Sequence, residues 1–258
     1  MVITTDGENS VNIFWTGGWD LTFQLLKLLL VYKVHVIPYY IIDPERRSTG
    51  REIKAMKNIK LMLLNKYPET KKLFYPTRYF SVMDIAPDQE LEDAFHAIKK
   101  EYHIGDQYNW LARFCKEQNI SDVQVCIELH PTQDASHFDV EPMLKESKVG
   151  EQTILRVDPQ YKDTNEYTLF QYFSFPIIRT TKHEMVAFAK EQGWMEIMNK
   201  TWFCHTPTCR NKPCGKCNPC LRVIEEGMGR RIPFERRVVS YFYTNVSLPV
   251  RKFLKNPK

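Results

Sequence analysis

Phe14-Trp15-Thr16-Gly17-Gly18-Trp19-Asp20-Leu21-Thr22 is the stretch that decides the fold. Just before it, Val11 to Trp15 form a short apolar run that reads as a buried strand. Gly17-Gly18 predicts a tight turn, and a helix is expected from about Asp20 to Tyr32. A strand, a glycine turn and a helix start make a cradle for pyrophosphate. The glycines let the backbone approach a ligand closely. The first helical N–H groups point outward, where the helix dipole also favours an anion. Thr16 and Thr22 add hydroxyl donors. The plain alternative is a strand–helix turn that merely needs its glycines.

The same alternation continues along the chain. Strands are expected over 34–42, 73–83 and 122–129, although Pro38 weakens the first because proline cannot donate to a ladder. Helices are expected over 50–65, 88–100, 106–118 and 181–192. Thr49 with Glu52, and Thr181 with Glu184, have capping-box spacing at two of the helix starts. Repeated strand–helix units predict an α/β fold, an open parallel sheet with helices on both faces. Residues 141–172 fit the alternation poorly and read as an insertion or a hairpin. The tail after Pro233 is basic.

The chain has 258 residues, 43% of them hydrophobic and 26% charged, as expected of a folded globular protein. The net charge of +5 suits a polyanionic ligand such as ATP and is too small to argue for direct nucleic-acid contact. The N-terminal MVITTDGENSVNIFW lacks the basic-then-apolar pattern of a secretion signal. The Leu25–Val36 stretch, interrupted by lysines, falls short of the ~20 residues of a membrane span. These features predict a soluble cytoplasmic protein with no membrane partner.

Five of the seven cysteines lie between Cys204 and Cys220. Cys204, Cys214, Cys217 and Cys220 offer four thiolates, and their short C-x2-C spacing brings neighbouring sulfurs onto one ion. Structural zinc is the expected metal, with an iron–sulfur cluster as the alternative. Cys209 could replace Cys204 as the distal ligand on spacing alone. Cys115 and Cys126 sit in apolar patterns and read as core thiols.

The loop at 16–22 resembles the S-G-G-x-D-S loop of the ATP-pyrophosphatase (PP-loop) superfamily. Thr16 stands in place of its first serine and Leu21 in place of its second. Thr201-Trp202-Phe203-Cys204 followed by Cys214-Gly215-Lys216-Cys217-Asn218-Pro219-Cys220 is similar to the C-terminal zinc segment of 7-cyano-7-deazaguanine synthases, which favours Cys204 over Cys209. Pro176 to Glu184 resembles the helix entry of that family. Asp134-Ala135-Ser136-His137-Phe138 resembles its loop after the fourth strand, and Glu52 lies where the family has a glutamate. Leu21, Tyr108 in place of an expected arginine, the length of 141–172 and the tail beyond Arg237 all depart from the pattern.

The resemblance implies two parts: an ATP-pyrophosphatase α/β domain over 1–200, with an insertion near 141–172, and a zinc-binding segment and tail over 201–258. It implies ATP, Mg2+ and structural Zn2+ as cofactors. The implied substrates are 7-carboxy-7-deazaguanine and ammonia, and the product is 7-cyano-7-deazaguanine, a precursor in queuosine biosynthesis. The loop Thr16, Gly17, Gly18, Trp19, Asp20, Leu21 and Thr22 would hold the phosphates. Lys182 would meet the α-phosphate, Asp20 would help to hold magnesium, and Asp134, Ser136 and Phe138 would form the deazapurine pocket. Arg46, Arg47 and Arg51 are phosphate candidates whose plain reading is a solvated basic face. Trp15 is expected in the core, and Trp19 flanks the loop. Other outcomes remain open: transfer of the acyl-adenylate to a protein amine, a catalytically inactive nucleotide-binding relative, tRNA thiolation, and a homodimer.

Overall fold

The structure is a computed structural model that describes residues 2–3, 9–127, 136–149 and 152–248. Strand β1 (Val2–Ile3) adds antiparallel to the start of β2 (Asn9–Phe14). The glycine turn leads from β2 into α1 (Trp19–Leu26), which a wider helical turn prolongs to Val31. Next come β3 (His35–Ile42), α2 (Thr49–Lys66), β4 (Arg78–Ser81), α3 (Gln89–Glu101), α4 (Gln107–Glu117) and β5 (Val123–Gln124). A hairpin of β6 (Leu144–Val149) and β7 (Gln152–Val157) follows, within the stretch that broke the alternation. Then come α5 (Asn165–Phe170), β8 (Phe173–Ser174), α6 (Lys182–Glu191), α7 (Met195–Met198), α8 (Asn218–Glu225) and α9 (Phe234–Phe242).

Five parallel strands run in the order β4-β3-β2-β5-β8. Side chains alternate along each strand and feed two cores. Phe14, Ile37 and Tyr39 pack with α3, α4 and α5 on one face. Ile13, Val36 and Tyr40 pack with α1, α2, α6 and α7 on the other. The expected parallel sheet with helices on both faces is therefore present. The strand order reverses between β2 and β5, and ligands of such sheets bind in the crevice at that switch. No helix among the described residues is long and apolar enough to cross a membrane.

Three local expectations need correction. Glu52 does not box the start of α2, whose N-cap is Ser48 without a side-chain cap. Instead the Glu52 carboxylate accepts from Ser48 Oγ at 2.7 Å and Tyr40 OH at 3.0 Å, and it pairs with Arg46 at 3.2 Å. The strand expected over 73–83 is the four residues of β4 plus a single bridge at Phe74. On its β4 side, β3 pairs at Val36 with Phe74 and again from Tyr39 onward, and Pro38, which has no N–H to give, lies between those contacts. The strand expected over 122–129 ends as a regular strand at Gln124.

Gly17 has φ +72°, in the left-handed region that costs a side-chain-bearing residue about 1–2 kcal/mol. A Cβ there would also lie 3.0 Å from Met56 Cγ and 3.2 Å from the Met56 nitrogen of α2. Gly18 has φ −73°, and the nearest atom to a Cβ there is Thr16 Oγ1 at 3.4 Å. Of the two glycines, Gly17 is therefore the one the fold requires. Gly17→Ala should lower the melting temperature by several degrees, the shift about 1–2 kcal/mol gives in a domain of this size, while Gly18→Ala should leave it close to that of the parent chain. Thermal unfolding followed by circular dichroism measures both.

Candidate functional site at the phosphate loop and the cysteine segment

The helix start of α1 is open as the sequence predicts. Its first backbone bond runs from Thr22 N–H to the Gly18 carbonyl at 3.0 Å. The N–H groups of Trp19, Asp20 and Leu21 therefore lack intrahelical partners, as at any helix N-terminus. Trp19 and Asp20 line a cleft of about 230 Å³ together with Thr16 and Gly18 from the loop and Lys182 from α6, whereas Gly17 and Leu21 are not among its lining residues. The indole N–H of Trp19 is buried and has no hydrogen-bond partner among the described residues, which leaves a donor for a ligand.

Lys182 is the first residue of α6 and is nearly buried, so it is not a solvated first-turn lysine. Thr181 and Glu184 form the expected capping box and fix that helix start. The Lys182 ammonium donates to the Asp20 carboxylate across the cleft. The two candidate catalytic residues, far apart in sequence, thus meet.

The far wall comes from the cysteine-rich segment. Trp202, Phe203, His205, Arg222, Glu226 and Arg231 complete the cleft, and Arg46 and Glu52 enter from the β3–α2 side. Sequence reasoning had not assigned Arg222, Glu226 or Arg231 a role. Arg231 lies in a basic run with no motif, and only the folded chain brings it to the loop. Its guanidinium sits 5.1 Å from the Trp19 ring centre and 4.9 Å from that of Phe203. It also donates to the carbonyl and the hydroxyl of Thr201, each at 2.6 Å. Burial lowers its pKa to about 10, so it remains a cation at neutral pH. Glu226 is half-buried. Burial raises its pKa, and the Lys182 charge partly opposes the rise.

The sulfurs of Cys204, Cys214, Cys217 and Cys220 lie within 4.8 Å of one another, while Cys209 is exposed and apart. Backbone N–H groups of Lys216 and Cys217 each donate to Cys214 Sγ at 3.3 Å, and that of Cys214 donates to Cys204 Sγ at 3.2 Å. The Thr206 hydroxyl also donates to Cys214 Sγ, at 3.2 Å. Such donors favour thiolates, the form that binds metal. The group therefore fits a metal ion. Gly215 has φ +76°, and a Cβ there would fall 2.3 Å from the Arg236 carbonyl, so α9 docks directly on this turn.

Other assignments fall differently. Thr22 is wholly buried, and its hydroxyl accepts from Trp15 Nε1 at 3.2 Å, so it braces the core beneath the loop and does not line the cleft. The Leu21 side chain packs toward the core, leaving its backbone N–H as its contribution. Trp15 is core, as expected. Arg51 is not a solvated cation, because its guanidinium lies 4.7 Å from the Trp202 ring centre. Arg47 is exposed. The Ser136 carbonyl accepts from His103 N–H at 2.6 Å, and Phe138 stacks on Phe170 at 5.1 Å. These contacts hold both residues against the α3–α4 connection and α5, and neither reaches the cleft. Asp134 lies outside the described residues. Cys115 is a core thiol, and burial raises the pKa of Cys126, which also feels the Asp20 charge.

A family model described as "Queuosine biosynthesis protein QueC" matches residues 162–226. Over that segment the chain is QueC-like. The segment contains Lys182, the four clustered cysteines, Arg222 and Glu226, and excludes the loop at 16–22. The match covers about a quarter of the chain, and the likeness it shows is to that segment alone. No curated protein matches the chain. Among solved structures, the U34-tRNA thiolase NcsA from Methanococcus maripaludis, with its [4Fe-4S] cluster, aligns with a TM-score of 0.39 at 10% identity, over 95% of this chain and 75% of that one.

Arg231→Met keeps much of the side-chain volume and removes the charge and both bonds to Thr201. Hydrogen bonds from a charged group contribute about 1.5–3 kcal/mol each when the partner is left buried and unpaired. The variant should unfold at a clearly lower urea midpoint, with an unchanged m-value.

Proposed function

We propose that this protein is an ATP-dependent enzyme that adenylates 7-carboxy-7-deazaguanine and converts it with ammonia to 7-cyano-7-deazaguanine. The observation that carries the proposal is the meeting of Lys182, from the QueC-like segment, with Asp20 at an open helix start behind a glycine turn. The family match supports adenylating chemistry in general; the substrate is our reading.

The substrate carboxylate oxygen attacks the α-phosphorus of ATP, and pyrophosphate leaves. The nitrogen of ammonia then attacks the acyl carbon, and AMP leaves with the electron pair of the broken C–O bond. One proton passes to solvent as the amide forms, and the amide oxygen then attacks the α-phosphorus of a second ATP, from which pyrophosphate again leaves. Loss of AMP, with two protons passing to solvent, gives the nitrile. The N–H groups of Trp19, Asp20 and Leu21 hold the departing pyrophosphate, as fixed donors aimed at developing charge do. Lys182 turns from Asp20 to the α-phosphate, which frees the Asp20 carboxylate; Asp20 would hold magnesium, which would offset phosphate charge. Arg222 adds a cation to the cleft wall, while Arg46 there is paired with Glu52. Glu226 is assigned to the guanine-type N–H edge, in place of Ser136 and Phe138.

Zinc is the metal we assign to the four cysteines. Cys204 and Cys217 sulfurs are 3.8 Å apart and those of Cys214 and Cys220 are 3.9 Å apart. A tetrahedral ion with bonds of ~2.3 Å spaces its sulfurs by ~3.8 Å. A four-iron cube puts further atoms between its thiolates and holds them farther apart. An ATP-using enzyme with reduced thiols belongs in the cytoplasm. A second reading, transfer of the acyl group to a protein amine, is favoured by a basic groove beside the cleft.

With 7-carboxy-7-deazaguanine, ammonia, magnesium and ATP, mass spectrometry should show the nitrile, AMP and pyrophosphate. Lys182→Ala should slow AMP release by about 100-fold or more, the loss typical of removing one electrostatic stabiliser, and a Lys182→Ala enzyme of parental rate would remove the basis of this assignment. Elemental analysis should find about one zinc per chain, and Cys217→Ser should lose both the metal and solubility, since binding at such sites is coupled to folding. Glu226→Gln should weaken deazapurine binding while ATP binding holds. In the parent chain that binding should strengthen as pH rises through the raised pKa of Glu226, because only the carboxylate accepts two donors, and the glutamine variant should lose this dependence.

A further inference from the structure

The cleft shares Trp202, Phe203 and Arg231 with a second, wider groove of about 550 Å³. Its other walls bring Arg51 from α2, Lys200 after α7, Lys212 from the cysteine segment and Arg230 before α9. Five cationic side chains thus line it, and no acidic residue is among the lining residues. One of these cations, Lys212, pairs with Glu235 at 2.8 Å, outside the lining. Asn199 and Asn211 add side-chain amides.

The rings in this groove are already occupied. Arg51 covers Trp202, Trp202 stacks on Phe203 with centroids 6.2 Å apart, and Arg231 lies between Phe203 and Trp19. Single-stranded nucleic acid is normally held by free aromatic faces on which bases stack. Here the available groups are charges and amides. Charges suit carboxylates, and amides suit the backbone of an extended chain.

We infer that this groove binds an acidic polypeptide segment and directs its end toward the adenylation cleft. The inference rests on the second reading above for its purpose, but the binding itself is measurable without turnover. Net positive walls beside a shared opening steer an anionic chain and hold it by charge pairs that salt weakens.

The test uses fluorescence anisotropy on the full chain. The probes are a ten-residue peptide of aspartate, glutamate and glycine with a free amino terminus, a lysine-containing peptide of equal length, and a single-stranded RNA of similar charge. The variant is Lys200→Glu with Arg230→Glu, which leaves the cleft's loop and Lys182 untouched. The acidic peptide should bind in low salt, weaken as salt rises, and lose about tenfold or more in affinity to the double variant, as reversal of interfacial charges does. The basic peptide should not bind. The circular dichroism spectrum and melting temperature of the double variant should match those of the parent chain, showing an intact fold, and its AMP release from ATP with 7-carboxy-7-deazaguanine should stay at the parental level. Equal affinity of the variant for the acidic peptide, or tighter binding of RNA that the variant also loses, would overturn the assignment. Peptide binding by a chain that forms no AMP would sink the adenylation proposal and leave the groove standing.

Discussion

The backbone N–H of Trp202 donates to the Gly17 carbonyl at 2.9 Å, and through that bond the cysteine segment is joined to the phosphate loop. The loop can offer this carbonyl because Gly17 takes a positive φ and packs without a side chain against α2. The cysteine segment can offer the N–H because Trp202 lies two residues before Cys204, whose sulfur is buried in the four-thiol cluster. Neither half of the contact is a local matter. A glycine near the start of the chain and a metal-type knot near its end fix each other.

A column of stacked groups reinforces that bond. Arg51, Trp202, Phe203, Arg231 and Trp19 lie in sequence, each in ring or guanidinium contact with the next. Arginine suits such positions because its flat, weakly hydrated head can stack while its N–H groups bond in the plane. Arg231 uses that plane on Thr201, one residue from Trp202. The column thus runs from α2, through the cysteine segment, to the first residue of α1. It also explains why two adjoining cavities can differ in character. On one side Lys182 meets Asp20 and Arg46 meets Glu52, which leaves a mixed, largely paired cleft. On the other side the cations lack such partners among the lining residues.

How far the sequence could be read follows from the range of each signal. The glycine turn, the Thr181–Glu184 box and the C-x2-C spacing act over a few residues, and each is present in the structure. Thr22 reads as a loop donor by position, yet the direction of its hydroxyl is set by Trp15, a packing partner one helical turn and a loop away. Glu52 has capping-box spacing, yet Tyr40 and Arg46 draw its carboxylate inward. Ser136 and Phe138 followed a loop pattern, and their neighbours His103 and Phe170 decide where they point. Arg231 carried no motif at all. Residues whose role depends on a contact across the fold are those that spacing cannot reveal.

Position 21 shows why a departure from a family pattern need not remove a function. The resemblance expects a hydroxyl there, and Leu21 has none. In this chain the leucine side chain turns to the core that also holds Phe23, Leu25 and Leu26. A serine hydroxyl at that place would add one donor to a set. The Leu21 backbone N–H belongs to the same set and depends only on the helix starting at Trp19. That start is secured by Gly17, by the Trp15–Thr22 bond beneath it and by Arg231 against Trp19. The substitution therefore exchanges a side-chain donor for apolar packing that steadies the helix whose N–H groups remain. On the proposed reading, an anion at this site would lose one contact and keep the dipole, the backbone N–H donors and Lys182, so the departure at Leu21 does not by itself favour an inactive relative.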